Sequence, residues 1–262
     1  MSQYITEENL AIIQSMTLMD DIFMTVFFRN HPECVQEILD AVEINAKVQS
    51  VNTQYALPNI HGHSVTMDIK AINDDNSVCN IEIQKRSDGA NPKRARFHSS
   101  MLDIVTLKPR EDYDKLSTSY VIFITKSDVL GFNQPFYKIS RVISGLNEPF
   151  NDGSNIIYIN TAYKGKDNSK IVDLIHDFRC AQANEIINEN IRNRFNEVKA
   201  RPTQEEAEYM SELLEKRLEK EKKEKEKEIA RKMLLSGKVA VELIAEFCNL
   251  TVSEVLALKN PA

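Results

Sequence analysis

Two stretches of the chain alternate strictly between apolar and polar positions. Val65, Met67, Ile69 and Ala71 are interleaved with Thr66, Asp68 and Lys70, and Cys79, Ile81 and Ile83 with Asn80, Glu82 and Gln84. Period-two alternation predicts strands with one buried face. Asn73-Asp74-Asp75-Asn76 between the two runs is turn chemistry, so together they predict a β-hairpin. A three-residue loop, Asp74-Asp75-Asn76, with Asn76 in the left-handed conformation, sets Asp68 directly opposite Glu82. Lys70 and Gln84 fall on the same face.

Helical periodicity surrounds this hairpin. Residues 1–14 read as an adaptable lead-in. Thr17 is expected to start a helix, with Asp20 at capping-box spacing and Ile22, Phe23, Val26 and Phe27 as its apolar stripe. Pro32 suits the first turn of a second helix that buries Val35, Ile38, Leu39 and Val42. A strand is expected over Lys47–Asn52. A helix is expected over Pro92–Leu107, with Phe97, Met101, Ile104 and Val105 facing inward. Tyr120–Thr125 is almost continuously apolar, as a central strand is. The segment Asp128–Pro149, punctuated by Gly and Pro, reads as irregular, and Asn155–Asn160 as a further strand. Helices are expected over 169–180 and 184–199, the latter burying Ile187, Ile191, Phe195 and Val198.

Pro202 marks a boundary. Glu205–Glu228 is a Glu/Lys run of mixed sign, which forms an exposed helix held by opposite charges three or four residues apart. It serves either as a solvated spacer or as a short coiled coil with a second copy of the chain. Gly237 is a natural helix stop, a helix follows near Val239–Phe247, and Thr251-Val-Ser-Glu254 is a capping box for a last one. The organisation expected is a main domain over 1–200, a charged helix over 201–230 and a small helical tail over 231–262.

The 262 residues suit one ordinary domain with appendages. A net charge of −6 is not the footprint of a protein that coats itself with nucleic acid, though a local basic patch is compatible with it. Cys34, Cys79, Cys180 and Cys248 lie far apart without metal-ligand spacing and suit a reducing compartment. With no basic leader and no apolar run long enough to span a bilayer, a cytoplasmic location and no membrane partner are expected.

Candidate chemistry centres on the hairpin. Opposed carboxylates with Cβ atoms roughly 5 Å apart repel unless a cation or a proton lies between them, and hard divalent ions favour such oxygen pairs. The plainer alternative is a hairpin with one wet face. Asp20 is either a first-turn acid that favours the helix dipole or an additional acid brought to the site. Lys93, Arg94 and Arg96 crowd a helix start, where cations are unfavourable, so they call for a partner: Asp88, Asp103 or a neighbouring element, or a phosphate. His61 and His63 read as loop residues.

The ordered set Met16-Thr-Leu-Met-Asp20-Asp-Ile-Phe23-Met, Asp68, Asn80-Ile-Glu82-Ile-Gln84, Arg94-Ala-Arg96-Phe-His-Ser-Ser100-Met-Leu-Asp103, Tyr113 with Leu116, and Tyr120-Val-Ile-Phe-Ile resembles the PD-(D/E)XK nuclease superfamily. Within it the set is most similar to the Rpn-type recombination-promoting nucleases, or putative transposases. The resemblance covers roughly residues 16–200 and implies an α/β, restriction-endonuclease-like core, a mixed β-sheet flanked by helices, with a helical C-terminal tail. It implies a metal-dependent DNA endonuclease linked to recombination or a mobile element. Mg2+ (or Mn2+) would be held by Asp68, Glu82, the Ile83 carbonyl and Asp20. Gln84, where the superfamily often has Lys, would orient water, and Lys70 or Lys85 would supply the missing cation, Lys70 being the better placed because it shares the predicted face. Lys85, Arg94 and Arg96 would contact DNA, and a homodimer would form through the charged helix or the tail. Relatives carry Tyr at one or both of the positions held here by Phe97 and His98. The alternative is a catalytically inactive nuclease fold acting as a DNA-binding or protein-interaction module.

Overall fold

A computed structural model describes residues 6–57 and 64–259. His61 and His63 lie outside the described residues. The chain begins with α1 (Glu7–Ser15), capped by Thr6, whose hydroxyl accepts from the Asn9 N–H at 3.2 Å. Thr17 does not start the next helix. It closes a turn in which its N–H and hydroxyl donate to the Asp20 carboxylate, and α2 (Asp21–Phe28) starts after Asp20. The capping-box spacing is thus used by a turn ahead of the helix. All of Ile22–Phe28 is buried in α2, a wider stripe than one helix face. α3 (Pro32–Ala41) carries Pro32 in its first turn and buries Val35, Ile38 and Leu39.

The sheet strands follow: β1 (Val48–Leu57), β2 (Val65–Asn73) and β3 (Val78–Gln84). After α4 (Pro92–Thr106) come β4 (Ser119–Thr125), β5 (Phe136–Ile139), a small hairpin of β6 (Val142–Ile143) and β7 (Glu148–Pro149), and β8 (Ser154–Asn160). The described residues form a six-stranded sheet in the order β1-β2-β3-β4-β8-β5. β3-β4 and β4-β8 are parallel and the other pairs antiparallel. The segment expected to be irregular therefore supplies the edge strand β5. Its short run Phe136–Ile139 was obscured by the Gly and Pro on either side, and an edge strand needs partners on one side only.

α5 (Lys170–Asp177) and α6 (Glu189–Ala200) complete the layer on α2 and α3. Phe23 meets Phe195 edge-on with ring centroids 4.9 Å apart, and Phe28 stacks on Phe178. The last turn of α2 has no basic residue of its own, and the buried Arg194 of α6 donates to the Val26 and Phe27 carbonyls at 3.0 Å. Those carbonyls would otherwise be left unpaired at a buried helix end. Ile187, expected inside, is 48% exposed because it lies in the turn ahead of α6, which starts only at Glu189. The other face of the sheet is covered by α4, over a core of Val121, Phe123, Tyr158, Ala95, Met101 and Leu102 among others. The fold is a mixed six-stranded sheet flanked by helices, with a helical C-terminal region.

The chain divides into two compact units, Met1–Ala207 and Glu208–Ala262. α7 (Gln204–Ser236) enters the second unit, where its ion pairs Glu212–Lys216, Arg217–Glu221 and Glu228–Lys232 are four residues apart. Gly237 follows at φ +64°. α8 (Val241–Phe247) and α9 (Val252–Ala257) pack Ile244, Ala245, Cys248 and Val255 around Ala230, and Thr251 and Glu254 form the expected capping box. Among the described residues no helix is long and apolar enough to cross a membrane.

The hairpin loop has the expected geometry. The Asn73 N–H donates to the Ser77 carbonyl at 3.0 Å, and Asn76 is left-handed at φ +62°. Asn tolerates that conformation far better than Ala does. Replacing Asn76 with Ala is expected to cost about 1 kcal/mol, whereas Asn76→Gly is close to neutral. Urea denaturation midpoints of the two variants check this, and equal loss in both would mean that φ is not what Asn76 provides.

Candidate active site

The β2-β3 register runs Ile72↔Val78, Ala71↔Cys79, Lys70↔Asn80 and Ile69↔Ile81, where pairing stops. The same register carries Asp68 to Glu82. Beyond that point β2 stays with β1 as far as Val65 and β3 stays with β4 as far as Gln84. The two strands therefore separate at the acidic pair. The Ile83 N–H that a ladder would have used donates instead to Asp68 Oδ2 at 2.9 Å. In a strand the N–H and C=O of one residue point the same way, so the Ile83 carbonyl also faces the gap.

Glu82 is fully buried on the side of α4. An isolated carboxylate there would be very costly, and the first turns of α4 answer it. Arg94 Nη2 donates to Glu82 Oε2 at 3.1 Å, and Arg94 Nη1 donates to the Gly89 carbonyl at 2.8 Å. One helical turn on, buried His98 places Nδ1 3.4 Å from Glu82 Oε1 and 2.8 Å from the Asn80 carboxamide. Arg94 Nε donates to His98 Nε2 at 3.3 Å.

This polar anchor turns α4 away from its expected orientation. Ala95, His98, Ser99, Met101 and Leu102 face inward, whereas Phe97, Ile104 and Val105 are exposed, Ile104 by 67%. Periodicity read the apolar positions as the inner face. The buried acid instead draws the Arg94/His98 stripe inward and takes Phe97, Ile104 and Val105 out with the opposite side.

Among the described residues Glu82 Oε1 is a buried oxygen that accepts no hydrogen bond, with His98 Nδ1 beside it at 3.4 Å. Asp68 beside it has its carboxyl pushed up to about 7, by burial first and then by the charge of Glu82, against the Ile83 N–H, Arg94 and Gln54. Gln54 lies on β1 between Thr53 (paired with Ile69) and Tyr55 (paired with Met67), at φ +51°, and its amide also donates to Thr25 Oγ1 at 3.3 Å. Two carboxylates that strain against ionising together, one of them with a bare oxygen, and a strand carbonyl facing the same gap make a hard-oxygen donor set that fits a divalent cation. Among the described residues no group of three or more His, Cys, Asp and Glu side chains assembles, so side chains alone supply two ligands.

Gln84 reaches over the turn that follows β3. Its carboxamide oxygen lies so close over Gly89 that a Cβ there would overlap it. Lys70 is not brought to the carboxylates; its ammonium sits 4.1 Å over the Tyr55 ring. The cation at the acidic pair is Arg94. Arg96 and Lys93 are exposed on α4. Asp20 pairs with Lys85, and although burial opposes ionisation, hydrogen bonds from Lys85 and Thr17 hold its carboxyl below the usual range. Asp20 and Lys85 are thus neutralised by each other, away from α4. Asn80, His98 and Gln54 escaped the sequence reading. Asn80 shares the polar face of Glu82 and His98 stands four residues after Arg94, signals that were present; Gln54 had none.

The sequence matches the family described as PD-(D/E)XK nuclease family transposase over residues 33–236. No curated protein and no solved structure matches the chain. The matched stretch contains the splayed hairpin, the acidic pair and α4, and it spans most of the chain. On that match the chain belongs to the PD-(D/E)XK nuclease family of transposases, a nuclease-like family.

Proposed function

We propose that the protein is a divalent-metal-dependent DNA endonuclease that hydrolyses phosphodiester bonds at Asp68 and Glu82. One observation carries this reading: a buried Glu82 oxygen without a partner among the described residues stands next to an Asp68 whose ionisation is opposed first by burial and then by the charge of Glu82. With Arg94 as its cation, the doubly ionised pair still lacks one positive charge. Asp68, Glu82 and the Ile83 carbonyl would hold Mg2+ or Mn2+. Such an ion supplies Lewis acidity towards a phosphodiester oxygen and towards water. Gln84 cannot take a proton, but its carboxamide, lying over Gly89, can orient the attacking water by accepting from it. Arg94 places a guanidinium beside the reacting phosphate and stabilises charge as it builds there. Membership of a transposase family agrees with DNA as substrate.

Cleavage of supercoiled plasmid tests the reading. Nicking is expected with magnesium, none with EDTA, and a loss of at least about 100-fold in folded Asp68→Asn and Glu82→Gln variants. Metal-dependent nicking that survives either substitution would remove that residue from the site. Absence of nicking by every form, with manganese and single-stranded substrates included, would favour an inactive fold used for binding.

The acidic pair also predicts a pH signature. A carboxyl raised to about 7 keeps a proton that the unfolded chain has lost, so its contribution to stability falls as pH rises from about 4 to about 7. In EDTA, Asp68→Asn should therefore gain thermal stability relative to the parent between pH 5 and pH 8, by a few degrees. Magnesium should raise the melting temperature of the parent at pH 8 and leave the variant unmoved. A gap between the two proteins that is the same at both pH values would contradict the raised carboxyl.

Arg94 has a structural side to its role. Arg94→Leu leaves Glu82 buried without its cation and is expected to cost about 3–5 kcal/mol. Adding Glu82→Gln should recover a large part of that loss. Chemical denaturation of the two single variants and the double variant measures the coupling, and additive losses would mean that the pair does not hold α4 to the sheet.

A further inference from the structure

A second feature lies at the carboxyl ends of the parallel strands. β3 ends at Gln84, β4 at Thr125 and β8 at Asn160, three residues in register across the sheet. The chain leaves each strand with a cation close behind: Lys85, Lys126 and Lys164. Arg179, just after α5, joins them, its guanidinium donating to the Tyr163 carbonyl at 3.4 Å. These four cations line one cavity of about 450 Å3 with a single carboxylate, Asp20, which is already paired with Lys85. Among the described residues neither Lys126 nor Lys164 makes a side-chain hydrogen bond or ion pair.

Like charges gathered around a concave site raise the local concentration of anions, and a cavity of this size holds a phosphate with part of what it is attached to. The position is also where ligands bind in sheets with parallel strands, outside their carboxyl ends. Strand alternation sends Lys85 to the opposite face of β3 from Glu82 and Gln84, towards Asp20 and α2. The three residue steps from Glu82 to Lys85 span about 10 Å. A strand crossing the carboxyl edge of the sheet therefore meets the acidic pair on one side of β3 and the basic cavity on the other.

We propose that this cavity holds a backbone phosphate of the nucleic-acid strand on which the Asp68/Glu82 centre acts, with Lys126 and Lys164 as the residues that bind it. The assignment of the strand rests on the nuclease reading above; the anion site stands on its own residues. Arg179 supplies the surrounding field, and the Lys85–Asp20 pair lines the cavity without net charge.

The test uses the full chain in EDTA, so that binding is read without cleavage. Anisotropy of a short fluorescent oligonucleotide is followed across a salt series for the parent, for Lys126→Gln with Lys164→Gln, and for Lys126→Arg with Lys164→Arg. Pyrophosphate is the second probe, read by thermal shift. The glutamine pair should bind the oligonucleotide about tenfold more weakly, with the slope of log affinity against log salt reduced by about 1. It should also lose the pyrophosphate shift, and the arginine pair should keep both. Oligonucleotide affinity and slope unchanged in the glutamine pair would overturn the proposal. So would pyrophosphate binding that depends on the lysines while no form binds the oligonucleotide, since the cavity would then serve a free phosphate compound. Cleavage is measured separately: lysine-dependent oligonucleotide binding without any metal-dependent nicking would remove the nuclease reading and leave the phosphate site in place.

Discussion

A carboxylate placed inside a protein must be answered by its neighbours, and Glu82 is the group around which this domain is arranged. Its position on the strand is set by alternation, which sends it beneath α4 with Asn80 and away from Ile81 and Ile83. Desolvating it alone would cost several kcal/mol, so the helix above cannot present a purely apolar face. Arg94 on α4 pairs with one of its oxygens and His98 of the same stripe lies beside the other, and that stripe fixes how the helix is rotated on the sheet. Arg94 then reaches the Gly89 carbonyl, which ties the connection after β3 to the helix, and Gly89 in turn makes room for Gln84. One buried charge thus organises the strand, the turn that follows it and the helix that covers it.

The separation of β2 from β3 has a related origin. Once pairing stops at Ile69 and Ile81, the Ile83 backbone groups face a gap and must find partners. The Asp68 carboxylate takes the N–H, which leaves the carbonyl directed into the same space as the bare oxygen of Glu82. Continued pairing would have closed this gap with ladder hydrogen bonds. The opening and the acidic pair are therefore one feature: the strands part where Asp68 can replace the missing bond.

Much of this was legible in the sequence. Strict alternation and the turn residues gave the hairpin, its register and the left-handed Asn76, because a one-residue slip would have turned every apolar side chain outward. The apolar run of β4 marked a strand flanked on both sides. What escaped had physical reasons. The rotation of α4 depends on a buried ion pair, and hydrophobic periodicity carries no information about a buried charge. β5 is a four-residue edge strand whose partner is already central, so its own sequence had little to specify. Of the candidate residues, Asp68, Glu82, Gln84 and Arg94 assemble in one place, whereas Lys70 settles over Tyr55 and Asp20 pairs with Lys85. Those two departures come from neighbours distant in sequence, which spacing along a single strand cannot reveal.

The charge distribution reconciles an acidic chain with membership of a family that acts on DNA. The net charge of −6 would repel a polyanion if it were spread evenly. It is not: much of the acid in the second unit is matched by lysines three or four residues away on α7, while cations at the strand ends converge on one cavity with a single carboxylate. Screening at physiological salt limits the reach of surface charge to about 8 Å. Within that distance a strand at the carboxyl edge experiences the local lysines more than the distant acids. On the proposed reading, a protein built this way would bind nucleic acid weakly in general and through one edge in particular. That edge also carries Gln84, so on that reading the chemistry at the acidic pair and the anchoring of the backbone would share β3.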